Sequence, residues 1–461
     1  MKKGLFCCLF LIVMIGLVSQ VLVAQKSVSG NEDFKGVPVK HYIFSKTDRD
    51  AHFWSAIYIA SNNKIYVGTS THASAASVYE FDIATSTMRH LANLPILLDE
   101  LGKGIWTNGK IHVKMQELNG YVYFSSFCED NGPPAIDAGS YNGAHWFRIN
   151  IETGKVEVLA KVSSLWGTTG QAMDKKRRII YGLDEIGHLR RYFIDEDYTE
   201  DLGRVDNWDV CRTIFIDEDG NVYGSYPPGM IWKYDPIQER IFNLEYLRLP
   251  ITIDSRSMAN PMLDRRAQWR IIEWDPVDKV AYGIIGGSNL LFKFDVNKGP
   301  GEEITTPFKG PEGEITPLVQ MCAPAYRGGN PFNVPHATLA MTINQRDRKI
   351  YYIPVTRGDF DYDLVSTNIS NKGKKLDVIQ TRRSLPYSFM VTYNLKTGVR
   401  EDLGILVPTD GSYALGMEGA ATDKDGKVWF VGSFEQSEEA LKINGGFKRA
   451  LGLGCYDPFS K

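Results

Sequence analysis

A short phrase recurs along this chain, and it restricts the possible fold more than any other feature of the sequence. In each copy an apolar strand is followed by a polar turn and then by Ile or Val with an aromatic residue, as in Asp217-Glu-Asp-Gly-Asn-Val-Tyr223. The aromatic residues of the seven copies are Tyr66, Tyr123, Tyr181, Tyr223, Tyr282, Tyr351 and Trp429. Repeats of about 40 to 60 residues with Asp-Gly turns and no helical periodicity are typical of propeller blades. The sequence therefore predicts an all-β chain folded as a seven-bladed β-propeller.

A second phrase, an aromatic residue followed by Asp or Asn and a turn, comes after most copies of the first, as in Trp232-Lys-Tyr-Asp235. One strand, at 37–44, is then left over, and the last blade has a strand of its own near 451–456. We expect these two strands to pair, because that closure hides the edges that an open sheet exposes. The seven repeated aromatic residues share one register, and we expect them to pack in the core.

The N-terminus has the order of a secretory signal, with lysines at positions 2 and 3, an apolar run from Leu5 to Val23, and then the small residue Ala24. We predict a signal peptide at 1–25 and a single propeller domain at 26–461, since no Pro/Ser-rich linker or charge block divides the remainder. The protein is then expected to be exported, either periplasmic or secreted, with no membrane span after signal removal. Cys7 and Cys8 leave a lipid anchor open as an alternative.

The net charge of -3 gives no overall basic field, so the sequence predicts no nucleic-acid partner. A polyanionic ligand would have to be bound by local arginines. Four cysteines follow the signal, and their wide spacing leaves their pairing open: Cys128, Cys211, Cys322 and Cys455.

Histidines and arginines concentrate at one end of the predicted blades. The first strand of a blade begins at the end where the second strand passes to the third, so residues before and just after each aromatic phrase converge there. The residues before it are His112, Arg212 and Glu418, with His52, Gln171, Arg270 and His336 close to that register; those after it are His72, His145, His188 and Tyr226. Six of the eight histidines fall at this end, which predicts a functional site around the channel.

His112 and His145 belong to one predicted blade, and His145 follows an unusually long loop at 128–144 of the kind that shapes binding clefts. Arg212 lies two blades further on. Two histidines and an arginine suit β-elimination at a uronic acid, because a guanidinium neutralises the carboxylate and stabilises the charge that develops beside it. A neutral His or a Tyr then takes the proton, and a second group protonates the departing oxygen.

Three stretches resemble the propeller-fold ulvan lyases over blades two to four: Gly109-Lys-Ile-His112-Val-Lys, Gly143-Ala-His145-Trp-Phe-Arg-Ile-Asn150 and Cys211-Arg212-Thr-Ile-Phe-Ile-Asp217. The resemblance implies two histidines, one tyrosine and one arginine around a uronate-binding cleft. The implied catalytic residues are His112, His145, Tyr192 and Arg212; the expected substrate-binding residues are His188, Tyr226, Arg270 and His336. Tyr192 aligns with a packing aromatic of the third strand, so His188 is the alternative for the role of the tyrosine.

The resemblance implies a carbon-oxygen lyase that acts on an acidic, sulfated glycan of the ulvan type. An oligosaccharide dehydratase that expels water from a terminal uronate by the same chemistry is one alternative. A metal-dependent oligogalacturonate lyase and a secreted glycan-binding propeller without activity are two more. Elimination itself requires no cofactor, but the resemblance leaves a structural calcium or zinc ion open, with Cys211, Cys322 and His336 as conceivable zinc ligands.

Overall fold

The computed structural model describes residues 36–44, 47, 51–71, 75–103, 105–128, 141–205, 211–251, 267–299, 313–321, 337–354 and 388–460. These residues belong to one compact unit, Lys35–Lys461. The predicted signal peptide at 1–25 lies outside the described residues. No helix in these ranges is both long enough and apolar enough to span a membrane.

Five antiparallel sheets of four strands each follow one another along the chain. The strands of the first two sheets are β2 (Ile57–Ile59), β3 (Lys64–Gly68), β4 (Ser77–Asp82) and β5 (Thr87–Asn93), then β6 (Gln116–Leu118), β7 (Tyr121–Ser125), β8 (Ala144–Asn150) and β9 (Val156–Ser163). Those of the third and fourth are β10 (Thr168–Asp174), β11 (Ile179–Asp184), β12 (His188–Phe193) and β13 (Tyr198–Arg204), then β14 (Phe215–Ile216), β15 (Val222–Tyr226), β16 (Met230–Asp235) and β17 (Arg240–Asn243). Those of the fifth are β18 (Trp269–Asp275), β19 (Val280–Ile285), β20 (Leu290–Asp295) and β21 (Glu314–Gln320).

The remaining strands form one sheet of eight, in the order β22-β23-β24-β25-β1-β28-β27-β26. They are β1 (Gly36–Ile43), β22 (Met341–Asn344), β23 (Lys349–Tyr352), β24 (Phe389–Asn394), β25 (Arg400–Pro408), β26 (Tyr413–Thr422), β27 (Val428–Glu435) and β28 (Arg449–Tyr456). The expectation of seven separate four-stranded blades is therefore corrected: the structure is an all-β propeller arrangement with five such blades and this larger sheet.

Strand β1 is the physical reason for the larger sheet. Its first half, from Gly36 to Val39, pairs in parallel with β25. Its second half, from Lys40 to Ile43, pairs antiparallel with β28. One eight-residue strand thus joins two antiparallel groups of strands that would otherwise be separate. The predicted pairing of the 37–44 strand with the strand near 451–456 is confirmed.

The first strands of successive sheets contact one another in chain order, from β10 to β14, β18, β22 and β26, and β26 also contacts β2. This order brings the end of the chain back to its beginning. We call the end of the sheets at which first strands begin the loop end, and the opposite end, where the first two strands of each sheet are joined, the turn end.

The seven repeated aromatic residues are buried in the core, as the sequence predicts, and some of them also bond to a turn. The turn at 217–221 shows why: Asp217 Oδ1 accepts from the N–H groups of Asp219 and Asn221 at 3.0 and 2.9 Å, while Oδ2 accepts from the Tyr223 hydroxyl at 3.0 Å. The Asp-Gly step is needed because Gly220 has a φ of +89°. A buried tyrosine keeps a partner for its hydroxyl in this way.

Two short helices complete the described structure. Helix α1 (Leu94–Leu97) begins after Asn93, whose side chain accepts from the N–H of Ile96. Helix α2 (Glu438–Asn444) begins after Ser437 and ends at Gly445. Side-chain oxygens at these caps bond to N–H groups that the first turn of a helix leaves without partners.

Candidate functional site

Four sheets contribute side chains to one site at the loop end. Trp54 lies just before β2, His112 just before β6 and Arg212 just before β14. Arg270 is the second residue of β18. All four therefore occupy related positions in their sheets, where first strands begin. The four residues interact with one another although they span more than 200 residues of sequence.

The centre of the site is a stack of two rings. The rings of Trp54 and His112 lie 4.5 Å apart at 22°. The guanidinium carbon of Arg270 is 5.5 Å from the centroid of the Trp54 ring, and its Nε donates to the carbonyl of Ala337 at 3.1 Å. Cation–π contact of this kind holds a guanidinium in place while keeping its charge. Trp54 therefore orients both the imidazole and the guanidinium.

His112 is only 3% exposed and is surrounded by positive charge. Burial, followed by the charges of Arg212, Arg270 and Lys110, holds the pKa of His112 well below its usual range. A hydrogen bond with the backbone of Thr169 opposes this pKa shift. The imidazole is therefore neutral near pH 7, and one of its ring nitrogens, Nδ1, is buried without a hydrogen-bond partner among the described residues.

The backbone at the start of β10 also contacts the site. The hydroxyl of Thr169 lies 3.3 Å from two carbonyl oxygens that can accept from it, those of Leu183 and Cys211. The backbone of the same threonine bonds to His112. The segment that positions His112 thus also contacts the residue that precedes Arg212.

An ion pair links the two sheets that carry His112 and Arg270. The ammonium group of Lys114 pairs with the carboxylate of Glu273, which lies in β18. The other carboxylate oxygen of Glu273 accepts from the N–H of Ile343 at 3.1 Å. The pair joins residues close to the site on both sheets, so it fixes the spacing between His112 and Arg270.

Sequence reasoning missed Glu185, which lies in the loop between β11 and β12. Its backbone N–H donates to the carbonyl of Gly167 at 3.1 Å, and its Oε1 accepts from the N–H of Gly167 at 3.1 Å. Burial raises the pKa of Glu185 to about 8, against the opposing effects of the Gly167 hydrogen bond, Lys110 and Arg212. The clue in the sequence was its position three residues before His188.

Trp54 and Lys110 were also missed. Lys110 is 1% exposed and its Nζ lies 5.4 Å from the centre of the Phe127 ring. Both residues sit within two positions of histidines that the sequence did single out, His52 and His112. Their place before a first strand was the available signal, but an aromatic residue and a buried lysine there also suit simple packing.

His145 lies at the loop end, at the start of β8, but apart from the ring stack. Its N–H donates to Ser126 Oγ at 3.0 Å. Burial and the charge of Lys161 lower the pKa of His145 to about 4, opposed by a backbone hydrogen bond with Gly143. In the described part of the chain these contacts do not overlap with those of His112. The structure therefore places both histidines at one end of their sheet, each with its own set of neighbours among the described residues.

Tyr192 lies at the turn end, remote from the ring stack. Its ring stacks on Trp146 at 5.3 Å, and its hydroxyl donates to Asp197 Oδ1 at 2.8 Å. Burial and Asp197 raise the pKa of Tyr192. The side chain is 1% exposed, and its contacts are those of a core residue.

His188 belongs to an acid–base network on its own sheet. Its Nδ1 lies 3.0 Å from Asp201 Oδ2, and its N–H donates to Asp184 Oδ1 at 2.9 Å. Arg190 joins both carboxylates, at 2.7 Å to Asp184 and 2.8 Å to Asp201. The network fixes His188 at the loop end, three residues after Glu185.

Of the other residues predicted from the sequence, one contacts the site, three lie elsewhere in the sheets and two lie outside the described residues. The ring of His52 lies edge-on to Trp54 at 5.6 Å, so it joins the site through that tryptophan. The amide of Gln171 donates to the carbonyl of Tyr123 at 3.2 Å, and the hydroxyl of Tyr226 donates to Asn243 Oδ1 at 3.2 Å. Glu418 is buried on β26. His72 and His336 lie outside the described residues.

Within the described ranges, no group of three or more His, Cys, Asp or Glu side chains is placed to hold a metal ion. Of the conceivable zinc ligands, Cys322 and His336 lie outside those ranges. Cys211 is buried, and its Sγ accepts from the N–H of Ser225 at 3.4 Å.

Comparison with known proteins does not assign the chain to a family. No family model matches the chain, and no curated protein matches it. Among solved structures, 1311 chains match. One of them, from the crystal structure of a mitotic checkpoint complex, aligns with a TM-score of 0.49 and 8% identity over 95% of this chain and 96% of that chain. A likeness at this level carries no argument about function, and the resemblance to ulvan lyases stays an expectation from the sequence.

Proposed function

We propose that the protein is an exported carbon-oxygen lyase that performs β-elimination at a uronic acid of an ulvan-type sulfated polysaccharide or oligosaccharide. One observation carries the proposal: a neutral His112, whose Nδ1 has no hydrogen-bond partner among the described residues, lies within the field of Arg212 and Arg270. This combination is what removal of a proton next to a carboxylate requires, since the base has to be uncharged and the carboxylate neutralised.

In the proposed reaction Arg212 and Arg270 bind the uronate carboxylate, and His112 takes the proton from the adjacent carbon, C5. The electron pair of that C–H bond forms the C4=C5 double bond, and the bond from C4 to its oxygen breaks. The guanidinium groups stabilise the charge that the carboxylate gains in the transition state.

Substrate binding also makes His112 a stronger base. The positive charges of Arg212, Arg270 and Lys110 lower the pKa of the free imidazole, together with burial. A bound carboxylate offsets part of this positive field, so the pKa of His112 rises when a uronate is in place. The histidine is therefore kept unprotonated until the substrate arrives.

The proposal includes the number of blades. We infer that the two antiparallel halves of the eight-stranded sheet, β22 to β25 and β26 to β28 with β1, act as separate blades in a ring of seven. The contacts of β26 with both β22 and β2 support this count. In such a ring the loop ends of all first strands surround one channel, and Arg212 and Arg270 approach His112 across it.

The proposal is tested by incubating the protein with ulvan and following the ultraviolet absorbance of the conjugated uronate that elimination creates. We expect the absorbance to rise with wild-type protein. His112→Gln should lower the rate by about a hundredfold or more, because a positioned base contributes that much to proton transfer. The matched control is His90→Ala, which changes an exposed histidine on β5 and should leave the rate unchanged.

Mass analysis of the products separates the alternatives. Shorter chains with an unsaturated end indicate a lyase, whereas loss of one water at constant chain length indicates a dehydratase. A flat absorbance trace with ulvan and other uronate polymers contradicts both activities. Calorimetric binding of ulvan without a rise in absorbance would instead support the glycan-binding propeller.

A further inference from the structure

The site described so far holds a base but lacks the group that protonates the departing oxygen. The tyrosine implied by the sequence does not fill this role, because Tyr192 lies at the turn end with its hydroxyl bonded to Asp197. His145 has neighbours separate from those of His112. A second proton-carrying group therefore has to come from the immediate surroundings of His112.

Glu185 and His112 both bond to one short backbone segment, residues 167–169. The two reciprocal hydrogen bonds with Gly167 fix both its backbone and its carboxyl oxygen. Two residues further along this segment, the backbone of Thr169 bonds to His112. A side chain on Gly167 would come within 2.4 Å of the Cα of Phe127, so this close approach depends on glycine. The Phe127 ring in turn lies 5.6 Å from that of His112.

Two of the charged groups that act on Glu185 also act on His112. Lys110, before β6, and Arg212, before β14, act on both side chains. Asp184, on the same strand end as Glu185, is itself paired with Arg190 at 2.7 Å. Asp184 also raises the pKa of Glu185, so the carboxyl group shares Lys110 and Arg212 with the imidazole and lies beside the network of His188.

We propose that Glu185 is the acid of this site and donates its carboxyl proton to the oxygen that leaves C4. The inference rests on the proposed elimination. The proton that His112 removes from C5 and the proton that Glu185 gives to the leaving oxygen balance, so the product is an unsaturated uronate and a free hydroxyl group. His112 and Glu185 return to their starting states by exchanging protons with water.

Burial, and then substrate binding, keep the carboxyl group of Glu185 protonated until it donates its proton. Burial raises the pKa of Glu185 to about 8, so most of the carboxyl is protonated at neutral pH. Arg212 and Lys110 oppose this pKa shift in the free protein. A uronate bound to Arg212 weakens that opposition, so substrate binding raises the pKa of Glu185 further.

The kinetic test compares Glu185→Gln with Glu196→Gln. The first variant keeps the oxygen that accepts from Gly167 but has no proton to donate; the second makes the same change at an exposed position in the turn between β12 and β13. With ulvan as substrate, we expect Glu185→Gln to lower kcat on the order of a hundredfold at unchanged KM. The wild-type rate should also fall as the pH rises above about 8, as a general acid of that pKa requires, and Glu185→Gln should lose this fall.

A second substrate isolates proton donation. In a uronate that carries fluorine at C4, the leaving group departs without needing a proton, so Glu185→Gln and wild type should react at similar rates. Equal rates on ulvan, or an equal loss on both substrates, would overturn the role of Glu185. If His188→Gln were slow on ulvan but not on the fluorinated substrate, and Glu185→Gln reacted at the wild-type rate on both, the acid would be His188. An inactive wild-type protein would instead contradict the proposed elimination.

A third measurement needs no substrate. The pKa of Glu185 is higher in the folded than in the unfolded state, so its contribution to stability is complete below pH ~4.5 and is lost as the pH rises through about 8. Gln cannot ionise, so the melting temperature of Glu185→Gln should rise relative to wild type between pH ~5 and pH ~8.5. Glu196→Gln should show no such trend. A difference for Glu185→Gln that stays flat or falls would show that the carboxyl is ionised at neutral pH, and would overturn the proposal.

Discussion

At the turn end of the sheets, several buried aromatic donors are bonded to carboxylates, whereas at the loop end three positive charges gather around His112. Three tyrosines and a tryptophan at the turn end donate to carboxylates in adjacent turns: Tyr223 to Asp217, Tyr282 to Asp278, Tyr351 to Asp347 and Trp429 to Asp423. At the loop end Lys110, Arg212 and Arg270 all lower the pKa of His112.

The difference separates side chains that stabilise the fold from side chains that are arranged for a ligand. A buried donor bonded to a carboxylate contributes to stability, because leaving either group unmatched costs about 1–3 kcal/mol. Like charges around a buried imidazole do not stabilise a free protein in this way. Their arrangement is favourable once an anion is present, which is why perturbed groups cluster at functional sites.

The largest effect on stability is expected at a buried ion pair of the turn end. Arg348 Nη2 lies 2.5 Å from Asp275 Oδ2, and Asp275 is fully buried. Arg348→Ala leaves this carboxylate without its main partner, so we expect the free energy of unfolding to fall by about 3–5 kcal/mol. Chemical denaturation measures this loss, and the elimination rate per folded molecule should stay unchanged. A fall below about 1 kcal/mol would contradict the structural role of the pair.

The largest effect on activity is expected at Arg212. Arg212→Lys keeps the charge but loses the two-pronged contact with a carboxylate, so we expect elimination to slow by about a hundredfold, or ~3 kcal/mol in activation free energy. The melting temperature should change little. The matched control is Arg178→Lys, at an exposed ion pair of the turn end, where Arg178 Nη2 lies 2.7 Å from Asp195. Full activity in Arg212→Lys would remove the carboxylate-binding role.

A smaller effect is expected from protonation of His145. The pKa of His145 is lowered to about 4, so between that value and the unfolded value near 6.5 the unfolded chain binds more protons. Stability from this residue is therefore present above pH ~6.5 and is lost as the pH falls toward about 4. Between pH 7 and 5, the unfolding free energy of wild type should fall by about 1 to 2 kcal/mol more than that of His145→Gln. Parallel pH profiles of the two proteins would show that His145 is already accessible to protonation.

The smallest effect is expected from a single hydroxyl group at the turn end. Tyr223→Phe removes the donor to Asp217, which keeps the side chain of Asn221 as a partner at 2.8 Å. We expect a loss of about 1 kcal/mol in unfolding free energy and no change in elimination rate. A change in rate without a change in stability would mean that the turn end contributes to the site, contrary to the comparison.

Much of this arrangement could be predicted from the sequence, because the information is local. The repeated phrase places each aromatic residue at the start of a second strand, and it assigns His112, Arg212 and Arg270 to the beginning of first strands. Side chains alternate along a strand and turns have characteristic residues, so the end of a sheet at which a residue lies can be deduced from its register. The closing pair of β1 and β28 followed from the same count of strands.

The tertiary structure decided which of these residues meet. Residues 112, 145 and 192 all lie in recognisable positions, yet His112 joins a ring stack with Trp54, His145 keeps separate neighbours, and Tyr192 packs at the turn end. The parallel junction of β1 with β25, which merges two groups of strands, has no local signature either. The pKa of Glu185 is raised chiefly by burial, in a position where its side chain bonds to Gly167, which is distant along the chain. The physical reason is that strand register and turn chemistry act over a few residues, whereas contact, burial and electrostatic field depend on how sheets distant in sequence pack around one another.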